Sequence, residues 1–461
     1  MHSISISEAI AEYVCSITFE KLPLEAVEAA KKSFLDTLGV ILAASSLGEG
    51  CRYFVELVLE GNGREESTVL GFNKRVPCVM AAFANGSMSH ALDYDDVYDE
   101  ARVHPSAAVV PAALAISEVL GKVSGKRLLT AIAVGNDLVC RLGLSLKVDA
   151  SEYGWFTPPI FGAFGATVAA SYLLGLNKKQ ILNALSLTLC QVACTTEVIN
   201  SPISDIRAIR DAFSAKAGVI SALLAYKGIR GSVQPMEGEG GLFASFFRGQ
   251  YDPSIILKGL GEIFYGPKVS YKLWPACRGT HSYIQAALEL RKECEFSLED
   301  VEEIRLIINS LNLMLCEPLE AKRRPENAIN AKFSLPFVVA TALVHGNVKL
   351  EHFRSTSLKD ERVLALADKV VYEANDSKDL TEGTVEIKIK KKRLIKTINF
   401  PLGHPNNPTR LEDLITKFKE CAQYAVNPIS FENLKKIVEL ILELEQLDDI
   451  KTLTDLFNQN G

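Results

Sequence analysis

Basic charge is in short supply in this 461-residue chain: 50 Lys and Arg stand against 56 Asp and Glu, for a net charge of −6. A protein that grips the phosphate backbone of a nucleic acid needs a basic face, so that class is set aside, although a local cationic pocket is still allowed. Paired cysteines are missing too. Ten cysteines occur, none in a C-x-x-C pair, and most sit in apolar settings such as AEYVCSI, NDLVCRL and NLMLCEP. These read as buried free thiols of a reducing compartment. Cys190 and Cys194, four apart, would share a helix face, but no further ligand lies near them, so neither a metal nor an iron–sulfur cluster is expected. The amino-terminal MHSISISEAIAEYVCS lacks the basic and apolar regions of a signal peptide. Apolar runs such as AVVPAALAI fall short of the ~20 residues that span a bilayer. The expectation is a cytoplasmic protein with no membrane and no nucleic-acid partner. There is no EF-hand pattern, no internal repeat and no low-complexity tract. The Gly-rich EGEGGLF, 237–243, follows no strand and lacks G-x-G-x-x-G order, so it reads as a loop.

What the chain does have is helix. Hydrophobic residues make up 48% of it, enough for a large core. PLEAVEAAKKSFLDTLGVILAAS repeats Ala26, Ala30, Phe34 and Leu38 at close to helical period, with Pro23 at a first-turn position. KRLLTAIAVGNDLVCRLGLSL, FGAFGATVAASYLLGL and AFSAKAGVISALLAYKG are apolar nearly all round. Such helices must be buried on several sides or lie in a subunit interface, and their Ala and Gly content permits close backbone approach. No sustained β alternation is seen before residue 267. After it, VEEIRLIINS alternates Ile304, Leu306 and Ile308, and GTVEIKIKKKRLIKTINF reads as a hairpin. NAKFSLPFVVATALVHG and DERVLALADKVVYE look helical. Thr409 and Glu412 have the spacing of a capping box opening LEDLITKFKECAQYAV. The fold class is therefore mainly α: a discontinuous helical domain, 1–266 with 401–461, and an inserted smaller α+β domain, 267–400. A cleft between two such domains is a usual place for a ligand.

Chemistry-bearing residues collect in three stretches. In SHALDYDDVYDEARVHPSAAVVPAAL, Asp93, Asp95, Asp96, Asp99 and Glu100 crowd together just before His104, one of only seven histidines. If the segment is extended, Asp93 and Asp95 point the same way. The run reads as an acid/base pair of Asp93 and His104, as a hard-cation loop, or as a solvated loop capping the helix at Pro105. His104 precedes a proline and is held out of helical geometry at a helix mouth, where it titrates, binds an anion, or simply hydrogen-bonds. In SDIRAIRDAF, Arg207 and Arg210 are three apart and would share a helix side, suited to carboxylate capture; the plainer reading pairs them with Asp205 and Asp211 at the surface. YKLWPACRGTHSYIQAALELR packs Lys272, Trp274, Cys277, Arg278 and His281 into ten residues at the start of the inserted domain. A Cys277 nucleophile with His281 four residues on is one option there.

Together the stretches NGSMSHALDYDD…HPSAAVVPAALA, FGAFGATVAASYLLGL, KLWPACRGTH, AKFSLPF and GHPNNP resemble the MmgE/PrpD family, whose activities include 2-methylcitrate dehydratase, cis-aconitate decarboxylase and iminodisuccinate epimerase. The resemblance implies a helical domain with a smaller lid domain, a homodimer, and cofactor-free chemistry on small carboxylates. It implies catalytic places for Asp93, His104, Lys272 and His281. It also brings departures: Phe156 and Arg210 stand where many members have histidine, Arg207 where many have lysine. Cys277 replaces a histidine, and Val97 a hydroxyl residue, of the decarboxylase-like branch. Arg207, Arg210, Cys277, Arg278, Phe156 and Trp274 then become expected substrate contacts, with Phe156 and Trp274 admitting apolar bulk. The implied reaction passes through an enolate-like species that needs fixed positive charge and a flanking acid and base. The expectation is a dehydratase-type lyase on a small hydroxy-polycarboxylate, with an epimerase or isomerase, a decarboxylase, or a non-catalytic carboxylate-binding homologue as alternatives.

Overall fold

The computed structural model describes residues 5–201, 204–390 and 392–458. With 58% helix and 10% strand, the protein is mainly α with small sheets. Contacts divide it into two compact units. The first comprises Met1–Ala91, Asp95–Val269 and Arg410–Gly461; the second comprises Leu92–Tyr94 and Ser270–Thr409.

The first unit is built on helices with little polar surface: Leu24–Leu47, Pro105–Leu120, Gly125–Ser145, Thr157–Leu174 and Asp211–Tyr226. Gly125–Ser145 and Thr157–Leu174 are long and apolar enough to cross a membrane, yet 89% and 83% of their apolar windows are buried within the protein. Their composition is that of core helices, and this corrects the expectation that no run reached such a length. They can pack closely because of glycine. A Cβ at Gly165 would lie 2.8 Å from the carbonyl oxygen of Gly135, and one at Gly218 would lie 2.7 Å from the Ala166 carbonyl carbon. Any larger residue at either place would force two backbones apart. The terminal helices Leu411–Ala422 and Phe431–Leu442 pack on Leu24–Leu47. Lys417 Nζ there donates to Asp36 Oδ1 at 2.6 Å in a fully buried pair. Arg141, also fully buried, donates to Asp137 Oδ2 (2.7 Å) and to the carbonyls of Ile256 and Lys258, which accounts for its charge.

A short hairpin that the sequence did not suggest, β1 (Ser67–Val69) with β2 (Lys74–Val76), also lies in this unit. Three residues per strand are too few to show an alternation.

The second unit carries a four-stranded sheet ordered β4-β3-β5-β6: β3 Val301–Ile308, β4 Val370–Ala374, β5 Gly383–Ile389 and β6 Lys392–Ile398. β3 buries Ile304, Leu306 and Ile308 against the helices His281–Glu293 and Leu335–His345. β4 corrects the helical reading of DERVLALADKVVYE. The helix stops at Ala367, and Val370, Val371 and Tyr372, which favour strand, pair in parallel with β3. The predicted capping box is displaced by one residue: Arg410, not Thr409, is the N-cap, and its N–H donates to Asp413 Oδ2 at 3.1 Å. Cys190 caps a helix that ends at Leu189, so it shares no helix face with Cys194. All ten cysteines are free.

Candidate active site

The acidic run lies in the link between the helices Cys78–Ser89 and Pro105–Leu120. It is not extended. Asp93 adopts φ +50°, a left-handed conformation that Asp tolerates better than most residues, so Asp93 and Asp95 do not point the same way. The carboxylates separate. Asp93 Oδ1 lies 3.6 Å from Lys272 Nζ, within the second unit. Asp95 and Asp96 belong to the first unit and are fully buried. Asp99 is half-buried, and exposed Glu100 accepts from the Tyr98 hydroxyl at 3.0 Å. The solvated-loop reading therefore holds for Glu100 and fails for Asp93, Asp95 and Asp96.

Asp96 performs the capping that His104, the N-cap residue, does not: its carboxylate accepts from Ser106 N–H at 3.2 Å, from Ser106 Oγ at 2.5 Å and from Ser33 Oγ at 3.1 Å. Asn136 supports Ser106 from the other side at 2.9 Å. Burial pushes the Asp96 carboxyl up to about 7; the Ser106 bonds oppose this, and the charges of Asp95 and Asp36 add to it.

Asp95 lies between two imidazoles. His90 Nδ1 and His104 Nδ1 are each 2.9 Å from its carboxylate, and the rings meet edge-on at 4.5 Å. His104 Nδ1 is also 2.8 Å from the Asp96 carbonyl oxygen. A carbonyl oxygen only accepts, so the proton sits on Nδ1 and Nε2 is the basic atom of the neutral ring. The His104 side chain is 14% exposed, against 2% for His90, so of the two it is the ring open to a ligand. Donor atoms of His90, Asp95 and His104 lie within 4.8 Å of one another, the geometry of a cation site. The chemistry of these donors fits one poorly: with a proton held on His104 Nδ1, the atom facing Asp95 is not a ligand.

In the second unit, Lys272 is buried and its Nζ donates to the Asp93 carbonyl at 3.1 Å. Arg278 Nη2 donates to Ser270 Oγ at 3.1 Å, and the N–H of half-buried Cys277 donates to the Lys332 carbonyl at 3.0 Å. His281 opens its helix with Nε2 3.2 Å from the Ala276 carbonyl, again an acceptor, so its proton closes a local turn. Trp274 stands edge-on to His281 at 5.3 Å and belongs to the unit's hydrophobic core.

Arg207 and Arg210 divide as well. Arg207 is half-buried on the short helix Ile206–Ile209, and its carbonyl accepts from Arg210 Nη1. Arg210 is buried, with Nε 3.7 Å from Asp211 Oδ2 and its guanidinium 5.0 Å from the Phe156 ring centroid. The expected surface salt bridge is thus a buried, loose one. Arg210, not Arg207, lines a cavity of about 380 Å³ in the first unit.

Residues 8–254 match the MmgE/PrpD N-terminal domain and residues 274–444 the MmgE/PrpD C-terminal domain. The chain belongs to the MmgE/PrpD family. It is similar along its length to a cis-aconitate decarboxylase-like protein, oryM, of Aspergillus oryzae, 25% identical over 98% of this chain and 97% of the relative. It is similar also to the cis-aconitate decarboxylases of Aspergillus terreus (24%, 98% and 96%) and Homo sapiens (27%, 98% and 94%). As read from the sequence, the MmgE/PrpD site centred on Asp93 and His104, took Asp95 and Asp96 only as members of the acidic run, and overlooked His90. The signal was present: SHALDYDD holds a second histidine close to the acids, but only tertiary packing shows which acid meets which ring.

Proposed function

We propose that this MmgE/PrpD protein is a cofactor-independent lyase that transfers a proton at carbon next to the carboxylate of a small organic acid, with His104 as the proton-transfer residue. The observation that carries this reading is the His90–Asp95–His104 arrangement. Two acceptors hold the proton on Nδ1 of His104, which leaves Nε2 as the atom that gives or takes a proton. When the ring becomes imidazolium, the Asp95 carboxylate stabilises its charge. The names of the curated relatives favour carbon–carbon cleavage over dehydration. In that reaction His104 enters as the imidazolium: the bond to the departing carboxylate breaks, its electron pair passes to the adjacent carbon, carbon dioxide leaves, and Nε2 gives its proton to that carbon, which returns the ring to neutral. The dehydratase reading stays as the second, because a base at Nε2 also serves proton removal followed by loss of hydroxide. Lys272, with its positive charge beside Asp93, is proposed as a carboxylate-directed cation on the family resemblance.

The test is proton NMR in deuterated buffer over cis-aconitate, citrate, 2-methylcitrate and smaller dicarboxylates. The expected result is carbon dioxide release with one deuterium entering the product, abolished in His104→Ala with the helical circular dichroism kept. Loss of water without carbon dioxide would transfer the assignment to the hydro-lyase. Full turnover by His104→Ala would remove His104 from the mechanism.

A further inference from the structure

The cavity lined by Pro159, Val192, Ile206, Phe213 and Arg210 has mainly apolar walls, with the neutral polar side chains of Gln191, Thr195 and Ser214 and one guanidinium. Arg210 is only 3% exposed. Among the described residues its one hydrogen bond is from Nη1 to the Arg207 carbonyl, and Nε has no hydrogen-bond partner. At 3.7 Å the Asp211 oxygen is too far to accept from it. A buried guanidinium with unused donors costs free energy unless something accepts from it. Burial also pushes the Cys194 thiol up to about 11, so the wall offers a neutral sulfur, not a competing thiolate.

The helix that His104 opens packs against the helix that follows Arg210. Gly162 packs where three helices meet: a Cβ there would be 3.3 Å from Ala108 Cβ, 3.8 Å from Asp211 Oδ1 and 3.9 Å from Ser214 Cβ. Ala108 is one helical turn after His104, and Asp211 is next to Arg210. The Phe156 ring lies 5.0 Å from the Arg210 guanidinium.

We propose that the Arg210 cavity is a specificity subsite for a carboxylic acid with an apolar body, the carboxylate on Arg210 and a branched-alkyl or aryl group against Val192, Ile206 and Phe213. This deepens the carboxylate-lyase reading and rests on it for the word substrate. The binding site itself does not depend on that reading. A phenyl ring under a guanidinium suits a planar carboxylate with little else that is polar.

The full chain is titrated calorimetrically with phenylacetate, 3-methylbutanoate, phenylmethanol and citrate, with saturation-transfer NMR to locate the bound protons. Phenylacetate is expected to bind at least tenfold more tightly than phenylmethanol and citrate, with strongest transfer to ring protons. Arg210→Met is expected to weaken phenylacetate at least tenfold. Because Arg210 is buried, a second variant guards against misfolding: exposed Ala193, on the cavity rim, is replaced in Ala193→Trp to fill the space, again with at least a tenfold loss. Phenylacetate binding unchanged in Ala193→Trp, or citrate preferred over phenylacetate, overturns the proposal. The two readings fail separately. Turnover of a polycarboxylate without phenylacetate binding sinks only the subsite. Arg210-dependent binding without His104-dependent turnover sinks only the lyase.

Discussion

Asp96 makes a quantitative claim. Its carboxyl is fully buried and pushed from an ordinary 3.8 up to about 7. The unfolded chain releases this proton near pH 4, and the folded chain holds it until about pH 7. Over that interval the folded state binds more protons than the unfolded state, so stability falls as pH rises. Each pH unit is worth about 1.4 kcal/mol, so the cost grows from nothing below pH 4 to about 4 kcal/mol above pH 7. Asp96→Asn mimics the protonated acid. Its oxygen still accepts from Ser106 N–H, and its amide can donate to the Ser33 and Ser106 hydroxyls. The variant should therefore lack the pH-dependent cost. Relative to wild type it should gain about 3 kcal/mol between pH 5 and pH 8, the two proteins converging toward pH 4 and separating as pH rises. Urea unfolding followed by tryptophan fluorescence can isolate this. The chain has two tryptophans, one in each unit, so a Trp274→Phe background leaves Trp155 to report on the first unit. Parallel pH curves for the two proteins would mean that Asp96 is ionised throughout, and the account of the buried carboxyl would be wrong.

Three other perturbations follow from the same geometry. Asp95→Asn removes the charge that two imidazoles share; a hydrogen bond to a charged group is worth about 1.5–3 kcal/mol, so turnover should fall about 10–150-fold in steady-state kinetics, and an unaltered kcat would refute its positioning role. Lys272→Met removes the cation 3.6 Å from the buried Asp93 carboxylate and should cost about 3–5 kcal/mol in chemical denaturation, whereas Lys272→Met with Asp93→Asn should recover more than half of that; equal losses in the single and double variants would deny the pairing. Asp413→Ala should cost about 1 kcal/mol in the same measurement, through loss of the Arg410 cap, while Glu412→Ala, at an exposed position, should stay within about 0.5 kcal/mol; the reverse order would restore the box read from the sequence.

How much of this was legible in the chain depends on the range of the interaction that decides it. The core helices and the strands Val301–Ile308, Gly383–Ile389 and Lys392–Ile398 announce themselves through local periodicity. Val370–Ala374 did not, because five residues following a helix carry no alternation of their own, and the strand exists through pairing with Val301–Ile308. The cap at Arg410 escaped for a related reason. Thr409-x-x-Glu412 and Arg410-x-x-Asp413 overlap by one residue, and the second wins because the Arg410 guanidinium also holds Asp413, at 2.7 Å from Nη2. In the second unit, Trp274 packs in the core and His281 opens its helix, structural parts that residue type and spacing did not foretell.

The acidic run shows why a site is less readable than a fold. Residue type and spacing offered Asp93 and Asp95 as equivalent, and an extended backbone would have made them so. A left-handed Asp93 breaks the equivalence. Such a conformation costs of order 1 kcal/mol, and it persists only where the surroundings hold it. Here the holding groups are Lys272, which takes both the carbonyl and the carboxylate side of Asp93, and Tyr94, whose hydroxyl donates to the Leu273 carbonyl at 3.2 Å. Two residues later the chain has turned, so that Asp95 reaches His90 and His104 and Asp96 reaches the start of the helix at Pro105. Three neighbouring carboxylates thus serve a lysine, two imidazoles and a helix terminus, and like charges that would repel in one cluster are each given a different counterpart. The division is set by one backbone torsion, which makes Asp93→Gly the informative contrast to Asp93→Asn. Glycine keeps the torsion and loses the carboxylate, so a separation of turnover from stability in that variant would distinguish chemistry by Asp93 from its part in shaping the turn.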